Sequence, residues 1–137
     1  TTFRWSEMSK FLLFINSAYL GLGSFFSFFV APTLFRVLQK EQAGAVVERV
    51  FPVYFSIGLV VSFITLILGF KLGRLIALMA LLTLFLNAIH VFYILPTAHA
   101  LKPVDYNAFM KWHGISMGVN LLSLLLVLVM CVLLMRR

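Results

Sequence analysis

Four long apolar runs, at about residues 11–31, 50–70, 75–97 and 112–135, restrict this chain more than any other feature. A helix crosses the hydrocarbon core of a bilayer with about 20 residues, and each run is of that length. Inside lipid every backbone N–H and C=O must be satisfied within the protein, so runs of this kind fold as helices. The chain has 137 residues, 63% of them hydrophobic and 11% charged. A soluble domain has roughly 45–50% apolar and about 25% charged residues, so that class is excluded, as is a disordered chain. Four spans consume nearly all the apolar residues. The expectation is an all-α, four-helix transmembrane bundle of antiparallel hairpins, a single integral membrane domain over 1–137 with both termini on one side.

The connections carry the charge. Residues 1–10 mix Trp5 with Arg4, Glu7 and Lys10, as a helix turn at the headgroup level does. Pro32 is expected to kink or end the first helix at the membrane surface. Residues 33–49 read as an amphipathic connection, the most polar stretch of the chain. Pro52 stands in the first turn of the second span, where proline is tolerated. Lys71 to Arg74 form a tight basic turn. The third span ends at Pro96, and Asp105 after Pro103 reads as the N-cap of a last helix of about 29 residues. No internal repeat is apparent. The first run is too long, and too apolar beyond Ala31-Pro32, to read as a signal peptide.

The net charge of +7 would point to nucleic acid in a soluble protein. Here the basic residues sit between apolar runs, where they anchor helix ends and set orientation, so no nucleic-acid partner is expected. The side bearing the termini has Arg4, Lys10, Lys71, Arg74, Arg136 and Arg137. The other has Arg36, Lys40, Arg49, Lys102 and Lys111. This margin of one base favours termini in the cytoplasm and, in a bacterium, a place in the inner membrane. The single cysteine, Cys131, allows no internal disulfide.

Polar residues within spans are costly in lipid and are therefore informative. The third span holds Thr83, Asn87 and His90, and the fourth His113, Ser116 and Asn120. Spacings of three and four place each set along one helix face. Folding the two spans back about residues 101–102 sets His90 opposite His113, Asn87 opposite Ser116 and Thr83 opposite Asn120. Such a seam serves as interhelical glue, or as a site for a metal, a proton or a polar ligand built on His90 and His113. No cofactor is required by the pattern. A metal ion would use the two imidazoles. A haem would need a ligand on a non-adjacent helix, because neighbouring helices pack only about 8–10 Å apart. Arg36 and Arg49 are candidates for contacts with an anion or a lipid headgroup. His99 falls in a loop. No carboxylate lies inside a span, and no GxSxG, HExxH or phosphate-loop motif occurs, so an enzyme is not expected.

Several stretches resemble a known family. FFVAPTLFRVL (28–38), AGAVVERVFPVYFSIG (43–58), YILP (93–96) and FMKWHGISMGVNLLSLL (109–125) are similar to the transmembrane-protein-205-like family, small four-span proteins labelled in bacteria as a domain of unknown function. The resemblance covers most of the chain and implies motif positions at Pro32, Phe35, Phe51, Pro52, Tyr54, His113, Ser116 and Asn120. It implies solute or metal-ion handling in the membrane, through the link of a eukaryotic member to tolerance of platinum drugs. A looser likeness in size and span number, to four-helix copper-resistance and haem-binding membrane proteins, lacks the first-span histidine. The other class left open is a non-catalytic membrane subunit, working as a homo-oligomer or within a larger, possibly respiratory, complex. The Ser17, Gly21 and Ser24 face offers a contact for it.

Overall fold

A computed structural model describes residues 5–136. The expected anchors Arg4 and Arg137 lie outside the described residues, as does the side chain of Trp5. The order is α1 (Trp5–Phe25), a π-helical turn (Phe26–Val30), α2 (Ala31–Val37), α3 (Lys40–Gly69), α4 (Arg74–Ile89), a second π-helical turn (His90–Ile94), α5 (Leu95–Leu101) and α6 (Tyr106–Met135). Each π turn joins the helices on either side of it, so the elements form four rods. All four are long and apolar enough to cross a membrane. The protein is an all-helical integral membrane protein.

The rods run further than the apolar runs alone predict. The stretch 33–49 is helical except at Leu38 and Gln39, where the backbone turns extended. Pro32 neither ends the first helix nor leaves a broken bond, because the preceding turn is wound as a π helix. The Ala31 N–H donates to Phe26 O, five residues back. A proline lacks an N–H and its ring crowds the carbonyl four residues before it; a π turn relieves both. The third rod repeats the device, with Leu95 N–H donating to His90 O just before Pro96, and continues to Leu101. The sequences around the two prolines, FFVAPT and FYILPT, match in form. At the tight basic turn, Gly73 takes φ 141°, a conformation that side-chain-bearing residues rarely adopt.

Each rod packs on two neighbours, first on second and fourth, third on second and fourth. Met8, from the start of the first rod, shares a core cluster with Met130 and Leu134 from the end of the fourth. The described chain ends therefore lie at one end of the bundle. That end is closed by Met8, Leu12, Leu72, Ile76, Met79, Ala80, Met130 and Leu134, an apolar plug. A second cluster, Tyr19, Tyr54, Phe55, Leu124, Val127 and Cys131, fills the middle. Burial is inverted relative to a soluble protein. Asn16, Thr65, Thr83, Asn87, His90 and Ser116 are buried, while Phe14, Phe25, Phe28, Phe63, Phe85 and Phe92 are exposed. Lipid is the solvent that makes this arrangement stable.

A cavity and the polar interior beside it

Away from the plugged end lies a cavity of about 910 Å³ between α3, α5 and α6. Its walls are mainly apolar, with Phe51, Val91, Leu95, Phe109, Met110 and Met117 among them. Charges collect among the residues nearest the rod ends. Lys102 Nζ donates to Glu48 Oε1 at 2.7 Å, tying α5 to α3, and His99 Nδ1 lies 4.0 Å from Glu48 Oε2. The Lys102 ammonium also sits 5.7 Å from the centre of the Phe109 ring, and Lys40 sits 4.9 Å from that of Tyr106. Both are within the range of a cation–π attraction. Beside this space is a smaller one of about 240 Å³ between the first, second and fourth rods. Phe35, Val47, Phe51, His113, Ser116 and Met117 border both.

The two histidines occupy different settings. His90 is 1% exposed, its ring stacked on Phe55 with centroids 3.6 Å apart, and its Nε2 is hydrogen bonded to Ser116 Oγ. His113 is half-buried and lies near-parallel to Phe51 and Phe109, at centroid distances of 6.5 and 6.0 Å. The expected register, His90 opposite His113, is thus displaced by almost one helical turn. The physical reason is the continued α5 helix, which moves the centre of the hairpin from residues 101–102 to about residue 103. Among the described residues, no three of His, Cys, Asp and Glu come together as a metal-ligand set.

The other seam residues turn toward different neighbours. Asn87 Nδ2 donates to Thr83 O at 2.9 Å and to Ser62 Oγ on α3 at 3.3 Å. Thr83 Oγ1 donates to Met79 O of its own helix. Asn120 does not meet Thr83. Its Oδ1 accepts from the Tyr54 hydroxyl at 2.8 Å, and its Nδ2 donates to Ser27 Oγ at 2.7 Å, so it joins the second, fourth and first rods. The polar residues therefore distribute over all four rods instead of forming one seam between two. Asn16 on α1 belongs to the same system, donating to Thr65 Oγ1 on α3 at 2.9 Å.

Sequence reasoning passed over Asn16, Tyr19, Ser62 and Thr65. Their signal was the same three-residue spacing, Asn16 to Tyr19 and Ser62 to Thr65, on single faces of the first two spans. It also passed over Glu48 and Lys102 as cavity residues. Arg36 and Arg49 are exposed and border neither cavity. In contrast, the motif residues Pro32, Phe35, Phe51 and Pro52 border one or both cavities, and Tyr54 anchors Asn120 just below them.

No solved structure matches this chain. An uncharacterized protein of Aquifex aeolicus (strain VF5) is 52% identical over 119 residues, covering 87% of this chain and 90% of the relative. The family model described as a domain of unknown function (DUF4149) matches residues 14–107. That match takes in the first rod from Phe14 onward, the second and third rods, both π turns and the α3 and α5 walls of the larger cavity. With more than half its length matched by that model, the chain belongs to the DUF4149 family.

Proposed function

We propose that this protein binds an amphipathic small molecule taken from the membrane interface, and that handling such a solute is its activity. The observation that carries the reading is the cavity of about 910 Å³, apolar inside and charged at Glu48, Lys102 and Lys40. Small-molecule pockets have volumes of about 300–1,000 Å³ and apolar linings with few polar groups, which is the composition here. An apolar tail lies against Phe51, Val91, Phe109 and Met117, and a polar head meets Glu48 and Lys102. The likeness to transmembrane-protein-205-like proteins supports solute handling. A metal ion as the solute would rest on His90 and His113 alone, and these two face different surroundings. In the sequence, Arg4, Lys10, Lys71, Arg74, Arg136 and Arg137 give that side six bases against five, which supports termini in the cytoplasm and an inner-membrane place for a bacterial protein.

The test is binding of a fluorescent long-chain fatty acid to purified protein in nanodiscs, compared with Met110→Trp. Met110 borders the cavity and is 43% exposed, so an indole there fills space without disturbing the plugged core. Saturable binding that falls at least about tenfold in the variant, a loss of roughly 1.4 kcal/mol, supports the reading. Equal binding by both proteins, or none by either, refutes it.

A second reading, a subunit that docks on another helix, is favoured by Gly21, Gly114 and Gly118. All three are exposed, and a Cβ added at any of them would meet nothing within 4 Å. Small residues of this kind let helices approach closely in lipid. Mass measurement after mild detergent extraction separates the readings, since a monomer of 15.5 kDa without a companion protein defeats the second.

A further inference from the structure

The smaller space is the counterpart of the larger one. Ser27, Ala31, Pro32 and Phe35 of the first rod line it, and Val91, Leu95, Pro96 and His99 of the third rod line the larger. Each of these pairs is 64 residues apart, as are the two π turns and the short helices α2 and α5 that follow them. The second and fourth rods serve both spaces, through Val47, Phe51, His113 and Met117. The two hairpins thus build the same kind of wall twice, around one shared partition. The correspondence is one of place and not of chemistry.

Charges line only the larger space. Among the described residues bordering the smaller one, none is Lys, Arg, Asp or Glu, and the polar ones are Ser27, His113, Ser116 and Asn120. Three of these are held in place by hydrogen bonds. Asn120 accepts from Tyr54 and donates to Ser27, and Ser116 is bonded to His90 Nε2. A network of this kind keeps its groups fixed in direction. His113 is placed instead by the near-parallel rings of Phe51 and Phe109. It borders both spaces and lies close to the charged end. Lys102 Nζ is 5.7 Å from the Phe109 ring, whose centre is 6.0 Å from that of His113, so the imidazole is within about 12 Å of the ammonium.

We infer, on the basis of the amphiphile site proposed above, that the smaller space is its selectivity pocket: it takes a neutral hydroxyl or carbonyl carried on the apolar body of the ligand, and His113 is the residue that bonds it. A neutral imidazole offers one donor and one acceptor, so it serves either group. Ser27 accepts from Asn120 and keeps its own hydrogen to donate. A charged group does not suit this pocket, because a buried charge needs a partner of opposite sign and the described lining holds none. A site built to bond an oxygen disfavours the ligand that lacks it, since its own polar groups are then left unpaired.

Competition on the full chain in nanodiscs tests this, with a fluorescent fatty acid displaced by stearic acid or by 10-hydroxystearic acid, whose hydroxyl falls within that reach of the carboxylate. The ratio of the two affinities is compared between wild type and His113→Phe, which keeps a ring beside Phe51 and Phe109. Comparing ratios cancels the unequal partition of the two acids into lipid. The preference for the hydroxy acid should be about three- to tenfold greater in wild type, the size of one hydrogen bond. An equal ratio in both proteins overturns the inference and leaves the amphiphile site standing. Displacement by neither acid refutes both. A measurement on wild type alone guards against a variant that fails to fold. With the acid carbon-13 labelled at position 10 and bound in bilayers, solid-state NMR should show a contact to the nitrogen-15 labelled ring of His113. A bound acid without that contact, or with one to His99 instead, overturns the assignment.

Discussion

Tyr54 holds three rods through one hydroxyl and one ring. The hydroxyl donates to Asn120, which donates onward to Ser27, and the ring lies against Tyr19 and Phe55. Tyr54→Phe keeps the packing and removes only the donor. Interhelical hydrogen bonds in membranes average about 0.6 kcal/mol, with a maximum near 1.7, so the variant should unfold at moderately lower denaturant in mixed micelles. A cycle with Asn120→Ala checks that the loss belongs to this pair: Tyr54→Phe should cost little once Asn120 is gone. The burial of His90, Asn87 and Thr83 was legible because polar side chains on one face of an apolar span have few places to go. Their partners were not. Side-chain pairing across a hairpin depends on where the turn centres, and a small shift of that centre moved the partner of His90 from His113 to Ser116, three residues on.

Helix limits follow backbone chemistry and not hydropathy, and this is where reading the sequence stopped short. Thr33–Val37 and Lys40–Arg49 are polar enough to look like a connection, yet both continue helices begun in or entering the membrane. Pro32 and Pro96 look like stops because the usual α-helical turn before a proline is strained, and nothing in the residue types announces that both turns are wound as π helices. The start of α6 was legible, since Asp105 follows Pro103 and its carboxylate accepts from Ala108 N–H at 3.2 Å. Replacing an N-cap aspartate with alanine costs about 1 kcal/mol. Asp105→Ala should therefore loosen the first turn of α6, read as faster amide exchange at Asn107 to Phe109, while exchange in the plug around Met130 stays unchanged.

At the scale of the molecule, the number of spans and the shared side of the termini were legible, because they need only run lengths and a count. The cavity was not, because its lining is drawn from three separate rods and Phe35 of the first, and how they sit against one another is written in no single residue. Single cysteines at Gly73 and Val104, in a Cys131→Ser background, should react with impermeant maleimide from opposite sides of intact cells. Reaction of both from one side contradicts the four-span arrangement. The bundle is also unequal along its axis, with a charged and hollow end at Glu48 and Lys102 and a sealed end at Leu12, Leu72, Met79 and Met130. In an energised bilayer, moving one charge through the full potential is worth about 2.3 kcal/mol per 100 mV. A hydrated cavity stays near the potential of the solution it adjoins. The electrical drop is then compressed into the few helical turns of the plug, and the local field there exceeds that across plain lipid. A charge moved through that layer consequently senses voltage more steeply than the same charge moved an equal distance elsewhere in the protein.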